Sequence, residues 1–183
     1  MTPNNETTVS SMDELHLNLL RNHVSELFER AGRAAAAIEN CAILDIAPQD
    51  HGGVRPHLSA PAQLTTLDID PGSDADVIGD ICVPNAALAD QSFDLVICTE
   101  VLEHVANPFQ AVAEIFRVLK PGGQAFFSAP FNFRIHGPLP DNWRFSEHGW
   151  RQLLTTFESV HIDTLETADR FLMPIHYNIV AVR

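Results

Sequence analysis

Short apolar runs, separated by turn residues or by stretches of helical spacing, constrain this chain more than any other feature. "CAILDIA" (41–47), "QLTTLDID" (63–70), "ADVIGDI" (75–81), "SFDLVICT" (92–99) and "QAFFSAP" (124–130) read as strands, rich in aliphatic and β-branched residues and closed by polar ones. "SVHIDTLET" (159–167) and "YNIVAVR" (177–183) offer two more. Elsewhere the period changes. In "SSMDELHLNLLRNHVSELFERAGRAAAAIEN" (10–40), Leu17, Leu20, Val24, Leu27 and Phe28 recur every three to four residues, which predicts one amphipathic helix or two in succession. "NPFQAVAEIFRVL" (107–119) is a second helix, with Asn107 placed to cap it, Pro108 in its first turn and "KPGG" to stop it. "SEHGWRQLLTTF" (146–157) is a third, with Ser146 as its N-cap and Gly149 tolerated inside. Residues 1–11 are polar and expected to be disordered, leaving 12–183 as one domain.

Strands alternating with helices predict a mostly parallel sheet covered on both faces. Such sheets bind ligands at the carboxyl ends of their strands, near the point where strand order reverses. Polar residues gather at those ends: Asp45 lies within the first run, Asp68 and Asp70 close the second, Asp80 the third, and Thr99 and Glu100 the fourth. The formal charge of −13 opposes long nucleic acids and favours small-molecule partners. Cys41, Cys82 and Cys98 show no metal-ligand spacing and read as buried free thiols. The N-terminus lacks a basic flank leading into an apolar segment, and no later stretch is apolar for long enough to span a bilayer. The expected location is therefore cytoplasmic, without membrane partners.

The runs "LDID", "VIGDI", "SFDLVICTEVLEHVANPFQAVAEIFRVLKPGGQAFFSAPF" and "HGPLPDNWRFSEHGW" together resemble the class I S-adenosylmethionine-dependent methyltransferases, in their small type 11 branch. The resemblance covers roughly residues 41 to 157, and "EVLEHV" with "EIFRVLKPGG" at this distance is its most specific part. It implies a Rossmann-like α/β fold with a seven-stranded sheet, whose last strand is antiparallel and enters as a hairpin, and S-adenosylmethionine as cofactor. Carried over by position, it implies that Asp45 supports the first loop and the amino-acid end of the cofactor. Ala47, Gln49 and His51 then stand at or beside the places where the family has glycines, in "LDIAPQDHGG". Asp68, followed by Ile69, matches the carboxylate that accepts from both ribose hydroxyls, work suited to two oxygens facing a vicinal diol. Asp80 and Ile81 match the polar partner and the apolar wall of the adenine, while Thr99 and Glu100 face the methionine end and the incoming acceptor.

The residues themselves leave plainer readings beside these. Asp68 and Asp70 also suit the turn around Pro71-Gly72, Asp80 can punctuate a strand, and Glu103 and His104 can begin a solvated helix. In the first loop, Pro48 removes an amide donor and Gln49 brings a side chain where the family offers bare backbone. Gly52 and Gly53 come later, as in a shifted or widened loop.

The long loop "APFNFRIHGPLPDNWRF" (129–145) is the place to look for acceptor chemistry. His136 is the first candidate for a catalytic base and His104 the second. Phe133, Asp141, Trp143 and Arg144 are candidates for acceptor contact, against a reading in which Arg144 pairs Asp141 and the segment only folds the lid. His148 is expected on the surface. The nine histidines form no compact ligand pattern, so no metal is expected.

Three functions compete at this point. The leading one is methyl transfer to a small molecule or sugar, at oxygen, with the N-terminal helix, the lid and a homodimer partner as candidates to enclose the acceptor. A methyltransferase-like binding or scaffold protein with a degenerate first loop is the alternative. A nicotinamide oxidoreductase fares badly, because no G-x-G-x-x-G follows the first strand.

Overall fold

The structure is a computed structural model that describes residues 10–48, 52–168 and 171–183. Its order is α1 (Ser11–Ala36), β1 (Ala42–Ile46), a 3-10 turn (Arg55–His57), β2 (Gln63–Asp68), β3 (Val77–Ile78), β4 (Phe93–Thr99), α2 (Pro108–Val118), β5 (Leu119–Pro130), α3 (Glu147–Leu153), β6 (Ser159–Leu165) and β7 (His176–Val182). The seven strands form one sheet in the order β3-β2-β1-β4-β5-β7-β6. Neighbours from β3 through β5 pair parallel, and β7 enters antiparallel between β5 and β6. This is the expected doubly covered α/β sheet with a closing hairpin.

Strand alternation divides the core between two faces. Ile43, Leu95, Ile97 and Phe126 pack against Leu27, Ala31 and Ala35 of α1. Leu44, Val96, Cys98 and Phe127 point the other way, towards α2 and the fully buried Trp150 of α3. The three cysteines are free and buried, as their apolar surroundings in the sequence imply.

Several boundaries differ from the sequence reading. The first helix is one element rather than two and starts at Ser11, inside the segment expected to be disordered. Ser10 Oγ accepts from the Asp13 amide at 3.1 Å as its N-cap. Residues 1–9 lie outside the described ones. Gly32 does not interrupt α1, because the His57 carbonyl packs where a Cβ would be, and this close approach seats the 3-10 turn on the helix. The third strand shrinks to Val77–Ile78: Asp76 just before it accepts from Thr66, and Asp80 just after it accepts from the Cys82 amide. "KPGG" stops α2 but does not form a free loop. β5 already begins at Leu119 and crosses the two glycines with a register shift opposite β4. The third helix ends at Leu153, shorter than its apolar pattern. Among the described residues, no helix is long and apolar enough to cross a membrane.

Candidate active site

The strand order reverses between β1 and β4, so the loops leaving their carboxyl ends diverge and open a crevice there. The first residue after β1, Ala47, and the first after β4, Glu100, both have positive φ, 49° and 55°. A non-glycine residue in that region costs on the order of 1 kcal/mol, and such strain persists where surrounding bonds over-determine it. Here they do. Ala47 donates its amide to Leu67 O at 2.7 Å, and Glu100 donates its own to Ser128 O at 3.1 Å.

The β1 loop solves its shortage of glycines at Gly53. Asp45 is 1% exposed, and its Oδ2 accepts from the Val54 amide at 2.9 Å, which folds the loop back over the strand end. Gly53 passes over this carboxylate with φ +55°. A Cβ there would overlap Asp45 Oδ2 and come within 2.8 Å of Pro48 Cβ. Gly53→Ala is therefore expected to cost about 2 to 3 kcal/mol, the sum of a left-handed alanine and an overpacked contact. Urea unfolding of the two proteins measures it, and equal midpoints would show that the loop is free to move aside. Gln49 and His51 lie outside the described residues.

Two cavities open from the crevice. One, of about 610 Å³, is lined by Ala47, Asp68, Ile69, Asp80 and Ile81 together with the β4–α2 loop. The Asp68, Ile69, Asp80 and Ile81 positions named from the sequence thus come together in one space. Each carboxylate also serves its turn: Asp68 Oδ1 accepts from the Asp70 amide at 2.9 Å, and Asp80 Oδ1 from the Cys82 amide at 2.8 Å. Asp70 is exposed in its turn, where its Oδ1 accepts from the Gly72 amide.

The other cavity, of about 460 Å³, lies between α1 and the lid. Leu17, Leu20, Val24 and Phe28 form its apolar wall, with Arg21 among them, and Thr99, Phe133 and His136 face them. Thr99 is thus on this side rather than beside Asp68. Glu100, His104, Gly137 and Pro138 line both spaces, so the cavities meet at these residues.

The junction is rich in ionisable groups. Glu100 Oε1 accepts from Ser128 Oγ at 2.7 Å and from His176 Nε2 at 2.8 Å. Burial pushes the Glu100 carboxyl up, but His176 and Ser128 outweigh it and hold it below the usual carboxylate range. His176 Nδ1 lies 2.9 Å from Nδ1 of His23 on α1, whose imidazole burial, then the neighbouring His176, lowers to about 4. With His23 neutral, a consistent assignment has His23 donating to His176 and His176 to Glu100. His23 and His176 went unnoticed in the sequence because nothing links residues so far apart before the sheet and helix meet.

Behind the junction, Glu103 is fully buried, and burial and then the charge of Glu100 push its carboxyl well above the usual range. His104 Nε2 and His136 Nε2 approach its Oε1 to 3.7 and 3.8 Å. The sequence shows no compact ligand pattern, but the lid folds back over the β4–α2 loop and sets His136 beside Glu103 and His104. Asn142 and Trp143 donate their amides to Glu103 O, at 2.7 and 3.1 Å, and Trp143 Nε1 donates to Val105 O at 2.9 Å. Asp141 is bonded through both oxygens to Arg144, which lowers its carboxyl to about 2. Asp141, Trp143 and Arg144 line neither cavity and fasten the lid instead, whereas Phe133 does face the α1 wall. His148 is exposed on α3, as expected.

Residues 44–127 match the family model described as a methyltransferase domain. Over those residues the chain is similar to the S-adenosylmethionine-dependent methyltransferases of the type 11 branch. Over 70 residues it is 40% identical to a ubiquinone biosynthesis O-methyltransferase of Saccharophagus degradans, a stretch covering 38% of this chain and 30% of that enzyme. The sheet and helices are similar to those of a SAM-dependent methyltransferase from Archaeoglobus fulgidus, with a TM-score of 0.65 and 14% identity over 87% of this chain and 94% of that one. They are similar as well to a structure of the Haloferax volcanii Trm112 methyltransferase activator in complex with a putative methyltransferase (TM-score 0.63, 17% identity, 93% and 94% covered).

Proposed function

We propose that this protein is a methyltransferase that transfers the methyl group of S-adenosylmethionine to a hydroxyl on a small, largely apolar acceptor. The observation that carries the reading is the pair of cavities that meet at Glu100 and His104. The first fits the cofactor. Its volume is that of an ordinary small-molecule site, Asp68 presents a carboxylate to the ribose hydroxyls, and Asp80 with the 5%-exposed Ile81 suits a base with a polar edge and an apolar face. Bound there, S-adenosylmethionine supplies a methyl group on a positively charged sulfur.

The protein's own part is positional. The ionised Glu100 puts a negative charge at the junction, where it attracts the sulfonium end of the cofactor. The aliphatic face of α1 and the rings of Phe28 and Phe133 hold the acceptor and keep water away. A hydroxyl must lose its proton as it attacks, and His104 and His136 line the acceptor cavity with Glu100 at the junction. Attack at oxygen agrees with the O-methyltransferase relative, and the acidic surface disfavours a nucleic-acid acceptor.

Calorimetric titration with S-adenosylmethionine and with its demethylated product, followed by transfer assays on phenols and catechols, tests the proposal. Micromolar binding of both and methyl ethers as products are expected. Binding without transfer to any acceptor would favour the scaffold reading, and failure of both ligands to bind would overturn the cofactor site itself.

A further inference from the structure

Among the described residues, neither carboxyl oxygen of Glu103 has a hydrogen-bond partner, although the side chain is fully buried. A buried carboxyl group without a partner is costly even when it holds its proton, and it is kept where something completes it. The two nearest nitrogens, His104 Nε2 and His136 Nε2, come to 3.7 and 3.8 Å, too far for hydrogen bonds. That spacing suits a different occupant. Ligands roughly 2.1 Å from a tetrahedral cation stand ~3.4 Å apart. One ligand atom from each of Glu103, His104 and His136 lies within 4.8 Å of the other two, so small side-chain shifts would close them around an ion.

We propose that Glu103, His104 and His136 form a site for a divalent transition-metal cation of the zinc type, at the junction of the two cavities. Two imidazoles and one carboxylate are a donor set that zinc takes when a further position is left for a reactant. The surroundings orient the imidazoles for this. His104 Nδ1 donates to Pro140 O at 2.9 Å, which fixes the tautomer with the Nε2 lone pair towards Glu103. His136 Nδ1 lies 3.1 Å from Asp141 Oδ2, at ion-pair distance but off the direction of a hydrogen bond, and Asp141 is itself clamped by Arg144. The same Asp141 oxygen accepts from the His136 main-chain amide at 3.0 Å, so the pairing of Asp141 and Arg144 holds the backbone that carries His136.

The inference rests on the methyl-transfer reading for its role, though not for its existence. A cation here contacts the acceptor oxygen from the side opposite α1 and weakens the oxygen's hold on its proton, which passes to water in the cleft. The oxygen lone pair then forms the new O–C bond while the C–S bond breaks, its electron pair returning to sulfur. His104 and His136 act in this scheme as ligands and not as bases.

Cobalt reports the site directly. Chelator-treated protein titrated with Co²⁺ is expected to develop visible absorption saturating at one equivalent, and Zn²⁺ is expected to displace it. Glu103→Gln and His136→Asn should each weaken Co²⁺ binding on the order of 100-fold, while His148→Asn on the exposed face of α3 leaves it unchanged. Thermal melting keeps the comparison clear of misfolding: Zn²⁺ should raise the wild-type Tm and leave that of the two ligand variants in place. Absence of Co²⁺ binding by the wild type would overturn the proposal, as would equal binding by Glu103→Gln and His136→Asn. Titration with S-adenosylmethionine after chelation reads the lining around Asp68 and Asp80, which includes neither Glu103 nor His136, so loss of cofactor binding and loss of metal binding are distinguishable results.

Discussion

Asp68→Ala is expected to weaken S-adenosylmethionine binding roughly 100- to 1,000-fold, the largest effect of any single change in the cofactor cavity. Two hydrogen bonds from a ribose diol to one ionised carboxylate are each worth about 1.5 to 3 kcal/mol, and their loss leaves the diol unpaired in a partly closed space. The turn complicates the variant, because Asp68 Oδ1 also accepts from the Asp70 amide. Asp68→Asn resolves this. The carboxamide oxygen keeps the turn bond but its NH₂ cannot accept from the second hydroxyl, so an intermediate loss of about tenfold is expected. Calorimetry on the three proteins gives the ranking. Equal affinity in all three would reduce Asp68 to a turn residue.

Asp45 governs the second large effect, on stability against pH. Its carboxyl is pushed up to about 7, first by burial, with the Val54 amide and then Arg55 opposing. In the unfolded chain it returns to an ordinary value of about 4. Between those two values the folded protein holds the proton more tightly than the unfolded chain, so stability attributable to this group is full below about pH 4 and lost as pH rises through about 7. The loss reaches up to about 4 kcal/mol at about 1.4 kcal/mol per unit. Asp45→Asn removes the proton and keeps an oxygen for the Val54 amide. Urea unfolding at pH 5 and pH 8 should show a marked fall for the wild type and a shallower one for the variant. Parallel falls would place the pH dependence elsewhere.

The two carboxylates illustrate how far the sequence could be read. Asp68 and Asp80 were recognisable because each follows an apolar run, and a strand end in a parallel sheet is a ligand position whatever the rest of the chain does. Asp45 was assigned to support the first loop and the amino-acid end of the cofactor, and its side chain does hold the loop through the Val54 amide. Asp141, Trp143 and Arg144 looked like acceptor contacts because they sit in a long aromatic loop. They fasten that loop to the β4–α2 segment because the main-chain carbonyls of Glu103 and Val105 happen to be in reach. Glu103 was weighed as the start of a solvated helix. It is buried instead, because the lid covers it.

Local sequence by itself determined the alternation of strands and helices, the caps Asn107 and Ser146, the buried thiols and the strand ends that carry carboxylates, since each depends on neighbours a few residues away. The tertiary structure alone decided that α1 walls a second cavity, that His23 and His176 stand behind Glu100, and that Glu103, His104 and His136 converge. Those groupings join residues well separated in the chain, His23 and His176 from near its two ends, and the cost of bringing them together is met by burial of the whole sheet and its helices, a sum no short stretch of sequence contains.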